Sequence, residues 1–197
     1  MCVIGAGSSG LAAAKNFVEA GFEVDVLEAC PDLGGNWNYD SPVARVYRST
    51  HTISSKPGTE YTDYPMPESY PDYPHHGKIL IYLRDYADHF DLGRLIEYET
   101  AVERVERSAE PGPSGDRCWD VHLAGGEVRR YGALVIANGH NNDPKYPEYP
   151  GDFAGEVMHS AQYKVSEILL GRRVLVVGGG NSGCDIVVEV AHKAEVA

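Results

Sequence analysis

The sequence has few positive charges, and it has no long apolar run. Its 17 lysines and arginines stand against 29 aspartates and glutamates, which gives a formal net charge of −12. A nucleic-acid surface needs a basic stripe to displace counterions from phosphates, so we expect no nucleic-acid partner. No stretch approaches the roughly 20 apolar residues that cross a bilayer, and we therefore expect no membrane segment in this chain.

Cysteine is also scarce. The four cysteines are Cys2, Cys30, Cys118 and Cys184. Because they form no CxxC pair and no export signal precedes them, they predict reduced thiols in a cytoplasmic protein and exclude a zinc site. His75 and His76 are adjacent, but no third ligand stands at a suitable spacing. We interpret both as exposed loop residues, and the sequence predicts no metal.

A glycine-rich turn near the N-terminus is the first feature that indicates a function. Gly5-Ala6-Gly7-Ser8-Ser9-Gly10 follows the apolar run 1–4 and precedes a predicted helix over 11–20. Residues 22–27 then alternate as a second strand that ends at Glu28. Strand, glycine turn, helix, strand and terminal acid form the βαβ pattern of a dinucleotide-binding unit.

The chemistry explains why these residue types recur at this spacing. Gly5 permits the tight turn, Gly7 lets the backbone approach a pyrophosphate, and Gly10 lets the helix pack closely on the strand. The helix N-terminus, at Ser8 and Ser9, offers N–H donors to the anion. Glu28 is expected to accept hydrogen bonds from a ribose.

The pattern recurs near the C-terminus. Gly178-Gly179-Gly180-Asn181-Ser182-Gly183 follows a predicted strand over 173–177 and precedes a predicted helix. Two such units predict two dinucleotides, although a glycine-rich helix start without a ligand remains the alternative. The helix residues Ile186, Val187 and Val190 would normally pack against later strands, and without those strands we expect them to be exposed and to promote association.

The segments between the two turns predict further elements. Residues 30–77, rich in Gly, Pro, Tyr and Ser, predict an ordered excursion rather than a linker. Residues 78–90 predict a helix with Ile79, Leu80, Leu83 and Tyr86 on one face. The strands predicted over 96–105 and 118–123, around a turn at 110–115, form a small antiparallel meander. A buried strand over 133–137 then returns the chain to the parallel sheet.

Residues 153–163 carry a more specific pattern. They match FxGxxxHxxxY at Phe153, Gly155, His159 and Tyr163, and so the chain resembles the flavin-containing monooxygenases, a class B flavoprotein family. Baeyer–Villiger monooxygenases of the same class usually carry Trp where this chain has Tyr163, so the resemblance favours heteroatom oxygenation over ketone insertion. The residues alone predict a core Phe153 and a hydrogen-bonded structural His159.

Five further segments resemble the same family: 33–37, 47–49, 54–56, 63–67 and 181–185. The resemblance implies FAD and NADPH as cofactors, with Gly35, Asn36 and Trp37 packed along the FAD and residues 182–185 touching the nicotinamide dinucleotide. The predicted cofactor-binding residues are Gly5, Gly7, Ser8, Ser9, Gly10, Glu28, Gly35, Asn36, Trp37, Ser54, Val102, Gly178, Gly180, Asn181, Ser182, Gly183, Cys184 and Asp185.

One position departs from the family pattern. Ile53 stands where well-known members carry an Asn beside the flavin. Because Ile offers no hydrogen bond, the resemblance implies weaker stabilisation of a peroxyflavin unless Thr52 or a backbone N–H substitutes for the amide.

These observations predict an α/β protein. Residues 1–150 form a Rossmann-like FAD-binding parallel sheet with an inserted meander, and residues 151–197 hold the linker signature and the start of a Rossmann-like NAD(P) unit. The function implied is an FAD- and NADPH-dependent monooxygenase that uses O₂ to oxygenate a soft nitrogen or sulfur atom through a C4a-hydroperoxyflavin, with a homo-oligomer as a possible assembly. The alternatives are a Baeyer–Villiger enzyme and a truncated, non-catalytic nucleotide-binding fragment. Since the second unit stops after one strand and one helix, we expect these residues alone not to turn over.

Overall fold

The computed structural model describes residues 1–112 and 115–194. The strands are β1 (Cys2–Ile4), β2 (Asp25–Leu27), β3 (Ile96–Glu97), β4 (Val102–Arg107), β5 (Trp119–Leu123), β6 (Val128–Tyr131) and β7 (Leu134–Ile136). The α-helices are α1 (Ser8–Glu19), α2 (Lys56–Thr59), α3 (His76–His89) and α4 (Asn181–Ala191). Short 3₁₀ helices span Gly35–Trp37, Gly93–Leu95, Ser160–Gln162 and Ser166–Leu169.

The chain divides into two compact units. The first contains residues 1–44 and 77–140, and the second contains residues 45–76 together with the described part of 141–197. The predicted boundary at residue 150 differs from this division, because residues 45–76 pack with the C-terminal segment. We call residues 45–76 the strap.

A four-stranded parallel sheet forms the centre of the first unit, in the order β3-β2-β1-β7. Cys2, Val3 and Val26 are fully buried, as the continuous apolar strands of a doubly covered parallel sheet require. Helix α3 buries Ile79, Leu83 and Tyr86 as its spacing predicts. The parallel sheet and the α/β class are thereby confirmed.

The predicted meander is present as the antiparallel sheet β4-β5-β6. The single strand predicted over 96–105 is wrong, because it divides into β3 of the parallel sheet and β4 of the meander. Between them Glu99 has a φ of +54°, and the Thr100 N–H donates to the Glu28 carbonyl at 2.8 Å. Of the turn predicted at 110–115, Pro113 and Ser114 lie outside the described residues.

The second unit departs from the sequence-based expectation in two ways. Among its described residues, the segment 174–177 forms no strand, although it keeps the period of two, since Val174 and Val176 pack inward while Leu175 is 82 % exposed. A parallel strand needs neighbouring strands for its backbone hydrogen bonds. The expectation that Ile186, Val187 and Val190 are exposed is wrong for Ile186 and Val190, which are buried against Tyr47 and Tyr163, whereas Val187 is exposed.

Within the described residues, no helix combines the length and the apolar character needed to cross a bilayer.

Candidate cofactor site

Two glycines of the first turn stand where the backbone conformation and packing leave no room for a side chain. Gly5 has a φ of +100°, and a Cβ there would lie 2.6 Å from the Ala137 carbonyl oxygen. A Cβ on Gly10 would overlap the Gly5 carbonyl, so the helix can approach the strand only without a side chain. Gly5 and Gly10 are therefore required by the protein itself, as the spacing predicted.

Gly7 is different, because nothing in the protein forbids a side chain there. Its φ is −79°, which any residue adopts, and a Cβ would meet only the Gly35 Cα at an ordinary 3.8 Å. Helix α1 begins at the next residue, so Gly7 is its N-cap and offers no side chain to cap the first N–H groups. An open space at the positive end of a 12-residue helix fits an anionic group such as a pyrophosphate.

Glu28 connects the turn to the end of β2. One carboxylate oxygen accepts the Ala6 N–H at 2.6 Å and the other accepts the Cys30 N–H at 2.9 Å. The residue is buried. Each carboxylate oxygen has a further lone pair, so the same group fixes the turn and can still accept a ribose hydroxyl.

The segment that holds Gly35, Asn36 and Trp37 lies directly beside the turn. The Gly34 N–H donates to the Ala6 carbonyl at 3.0 Å, and a Cβ on Gly35 would lie 3.2 Å from the Gly7 Cα. Trp37 is half-buried in its 3₁₀ helix. The structure thus places these three predicted contacts at the same edge of the sheet as Gly7.

Sequence reasoning missed the residue that holds this 3₁₀ helix in place. Asn38 is buried, and its Nδ2 donates to the Leu33 carbonyl at 3.1 Å and to Asp32 at 3.2 Å. Asp32 also pairs with Arg84 of α3 at 2.5 Å. Val102, another predicted contact, lies half-buried at the start of β4 against the apolar cluster of the sheet.

The second turn repeats the geometry of the first. Gly178 has a φ of +119°, and a Cβ on Gly183 would overlap the Gly178 carbonyl. Gly180 has a φ of −78° and no atom within 4 Å of its Cβ position. Helix α4 starts at Asn181, with Ser182 in its first turn and Gly180, which has no side chain, as its N-cap. The predicted residues 178–183 therefore form a second helix start with space for an anion.

Cys184 lies in the first turn of α4 and is the exposed thiol, whereas Cys2, Cys30 and Cys118 are buried. Burial also raises the pKa of Cys2 to about 11, which leaves on the order of 0.1 % thiolate near pH 8. We expect Ellman's reagent to titrate one thiol rapidly in the folded chain. In Cys184→Ser this rapid phase should vanish. Rapid reaction of a second thiol in the folded chain would contradict the burial of Cys2, Cys30 and Cys118.

The strap carries the residues predicted near the oxygen-reactive edge. Ile53 is 70 % exposed, whereas Thr52 is buried and its hydroxyl has no hydrogen-bond partner among the described residues. The Ser54 hydroxyl lies 2.8 Å from that of Thr59 in α2. Of the two residues predicted near the oxygen-reactive edge, Ile53 therefore has its side chain at the surface of the strap, whereas that of Thr52 is buried.

The signature segment, residues 153–163, is exposed over its first half and has structural contacts in its second half. His159 caps the 3₁₀ helix Ser160–Gln162, since its Nδ1 accepts the Ala161 N–H at 3.0 Å. That contact agrees with the structural role expected for His159. The prediction of a core Phe153 is wrong, because the ring is 72 % exposed and lies against Gly155.

Tyr163, the last residue of the signature, is buried and holds helix α4. Its hydroxyl donates to Glu189 Oε2 at 2.5 Å, and burial followed by this carboxylate raises its pKa well above the usual range. Asp185, predicted to touch a dinucleotide, accepts the Tyr47 hydroxyl at 2.5 Å. Sequence reasoning missed the partners Tyr47 and Glu189.

The interpretation of His75 and His76 as exposed loop residues needs correction. His76 is buried at the start of α3, and His75 is half-buried with its Nε2 2.6 Å from the Arg48 carbonyl. In the described part of the chain, no group of three or more potential ligands is arranged to hold a metal ion.

The comparisons with known proteins agree with this geometry. The model of the family "Flavin-binding monooxygenase-like" matches residues 1–197. Human flavin-containing monooxygenase 1 is 39 % identical over 99 % of the chain. Rat dimethylaniline monooxygenase [N-oxide-forming] 2 is 38 % identical over 98 % of the chain. The chain spans 38 % of the length of each of these relatives.

Solved structures of related enzymes share the fold. S-allyl-L-cysteine S-oxygenase from Allium sativum has a TM-score of 0.87 and 27 % identity over 98 % of this chain and 49 % of its own. A cyclohexanone monooxygenase has a TM-score of 0.77 and 28 % identity over 98 % of this chain and 37 % of its own. The family predicted from the signature and its neighbouring motifs is confirmed, and its description names flavin binding. A steroid monooxygenase of the same fold, with a TM-score of 0.74 and 28 % identity over 98 % of this chain and 37 % of its own, is bound to NADP. The chain belongs to the flavin-binding monooxygenase-like family.

Proposed function

We propose that this chain supplies the FAD-binding part, and the first turn of the nicotinamide-dinucleotide part, of a monooxygenase. The observation that carries the proposal is the shared geometry of Gly7 and Gly180. Each is the N-cap residue of a helix, with a φ near −80° and room for a Cβ, so neither glycine is required by the backbone. Close approach of a ligand accounts for glycine at both positions.

Each predicted residue has a definite task in this arrangement. The start of α1 would hold the FAD pyrophosphate, Glu28 the ribose, and residues 35–37 the adjoining part of the cofactor. The start of α4 would hold the pyrophosphate of NADPH. Bound flavin, once reduced, supplies the activation of O₂, and the side chains bind, orient and exclude water.

For the substrate we propose a soft nitrogen or sulfur nucleophile. Two similar proteins carry such activities in their names, an N-oxide-forming monooxygenase and an S-oxygenase. Tyr163 supports the same choice, because Baeyer–Villiger members of the class usually carry Trp at this point. Ketone insertion is the second candidate, favoured by the likeness to cyclohexanone monooxygenase.

The test is a product assay on the protein expressed from its complete coding sequence. NADPH is supplied with trimethylamine, a thioether or cyclohexanone in parallel, and the oxygenated product is quantified against the NADPH consumed. N-oxide or sulfoxide formed in step with NADPH consumption supports the proposal, whereas lactone alone would favour the Baeyer–Villiger reading. Flavin binding without any product would favour a non-catalytic nucleotide-binding protein.

Ile53 provides a prediction about how tightly oxygen use is coupled to product formation. An apolar side chain offers no hydrogen bond near the oxygen-reactive edge, and one lost bond to a developing charge costs about 2 kcal/mol or more. Ile53→Asn is therefore expected to lower the hydrogen peroxide released per NADPH several-fold. Ile53→Leu is the matched control. Equal peroxide release by the Asn and Leu variants would show that residue 53 does not affect the coupling of oxygen use to product formation.

A further inference from the structure

Two tyrosines hold helix α4 through carboxylates that lie one turn apart. Tyr47 donates to Asp185 and Tyr163 donates to Glu189, each at 2.5 Å. Residues four apart share a helix face, and the two tyrosine rings meet edge to face with centroids 5.6 Å apart. The pair forms one contact surface along α4, with Ile186 and Val190 buried in the same cluster.

Tyr47 is held rigidly where the strap meets this surface. Its two neighbours along the chain both bond to Lys164: the Arg48 N–H donates to the Lys164 carbonyl at 2.9 Å, and the Lys164 Nζ donates to the Val46 carbonyl at 3.1 Å. Burial, followed by the bond to Asp185, raises the pKa of Tyr47 well above the usual range. The hydroxyl therefore keeps its proton, and donates to Asp185, at neutral pH.

The two bonds differ in their distance from the second glycine turn. Asp185 is the fifth residue of α4, so it lies about one turn from the helix start, whereas Glu189 lies about two turns away. A dinucleotide pyrophosphate meets only the first turn of such a helix. Of the two carboxylates, Asp185 is thus the one whose attachment governs the position of the helix start.

We propose that Tyr47 is a positioning residue for the nicotinamide dinucleotide. Through Asp185, its hydroxyl fixes the first turns of α4, so that the turn over 178–183 meets the pyrophosphate in a single geometry. This inference rests on the proposed function and assigns Asp185 a role within the protein, where the sequence predicted a direct contact with the dinucleotide.

The test measures NADP⁺ binding to the FAD-loaded chain by isothermal titration calorimetry, together with thermal unfolding. Loss of one bond to a charged acceptor predicts that Tyr47→Phe binds NADP⁺ about tenfold more weakly. Tyr163→Phe removes the same kind of bond one turn further along α4. It should lower the unfolding temperature and leave the NADP⁺ dissociation constant unchanged.

Variants at the exposed Asp185 separate positioning from direct contact and do not depend on the folding of a buried tyrosine variant. Asp185→Asn should bind NADP⁺ with an affinity between those of the wild type and Tyr47→Phe, because its amide oxygen still accepts the Tyr47 proton but in a weaker, uncharged bond. Asp185→Ala should match Tyr47→Phe, and the double variant should bind no more weakly than either single variant.

Two results would overturn the inference alone: unchanged NADP⁺ affinity in Tyr47→Phe, or a further loss when Asp185→Ala is added to it. The second result would show that Asp185 contacts the dinucleotide itself. Absence of NADP⁺ binding by the folded wild type would instead overturn the proposed function, and the inference with it.

Discussion

Gly7→Val is expected to leave the chain folded and to abolish flavin retention. The backbone at Gly7 is extended, and a Cβ there meets only the Gly35 Cα at 3.8 Å, so the protein accommodates a side chain. A pyrophosphate bound in that space would overlap the same side chain. Overlap of this kind costs on the order of 1–3 kcal/mol, which is about ten- to a hundredfold in the dissociation constant of FAD.

The measurement is flavin absorbance after gel filtration, with circular dichroism to confirm folding. Gly132→Val is the matched control, because its Cβ also finds open space and it lies outside the turn. Gly7→Ala should give a smaller loss in the same direction. Retention of flavin at the wild-type level by folded Gly7→Val would refute the assignment of the first turn to the FAD pyrophosphate.

Glu28→Gln is expected to destabilise the first unit, although the side chain changes by one atom type. Both carboxylate oxygens of Glu28 accept backbone N–H groups, from Ala6 and from Cys30. A Gln side chain has one acceptor and one donor end, so it satisfies one N–H and turns its NH₂ group toward the other. With the residue buried, the free energy of unfolding should fall by about 2–4 kcal/mol.

That loss corresponds to a decrease of about 5–15 °C in the unfolding temperature of a domain of this size, measured by calorimetry. Flavin retention should fall as well, because Ala6 belongs to the turn. Glu23→Gln, an exposed change on the same stretch of chain, is the control and should melt like the wild type. If Glu28→Gln also melts like the wild type, the carboxylate does not hold the turn.

The features that could be predicted from the sequence are the local ones. Gly7, Gly10 and Glu28 follow from short-range geometry within one βαβ unit, and so does the positive φ of Gly5, although the approach of the Ala137 carbonyl to Gly5 does not. The second turn was predictable for the same reason. Both turns were recognised from the spacing of their glycines, and the structure shows the same close approach of first and last glycine in each.

The contacts that could not be predicted join residues distant in sequence. Tyr47 and Asp185 are 138 positions apart, and no periodicity relates them. Asn38 adjoins a recognised motif, but its role appears only when its bonds to Leu33 and Asp32 are seen.

In the second unit, burial and strand formation were predicted less well from the apolar residues. Phe153 and the strand over 173–177 were predicted from side-chain character alone. Burial and strand pairing depend instead on neighbours that the pattern does not specify. Ile186 and Val190 show the opposite case, since they pack against Tyr47 and Tyr163, a contact that no sequence pattern indicates.

The two glycine turns are expected to hold two different dinucleotides, and the amount of each cofactor bound per chain tests this directly. The folded wild type, reconstituted with FAD and titrated with NADP⁺ by calorimetry, should bind one equivalent of each. Gly180→Val should keep the flavin and lose NADP⁺, because its Cβ position is open in the protein and lies at the start of α4. A folded chain that retains no flavin, or a Gly180→Val variant that binds NADP⁺ like the wild type, would contradict the account.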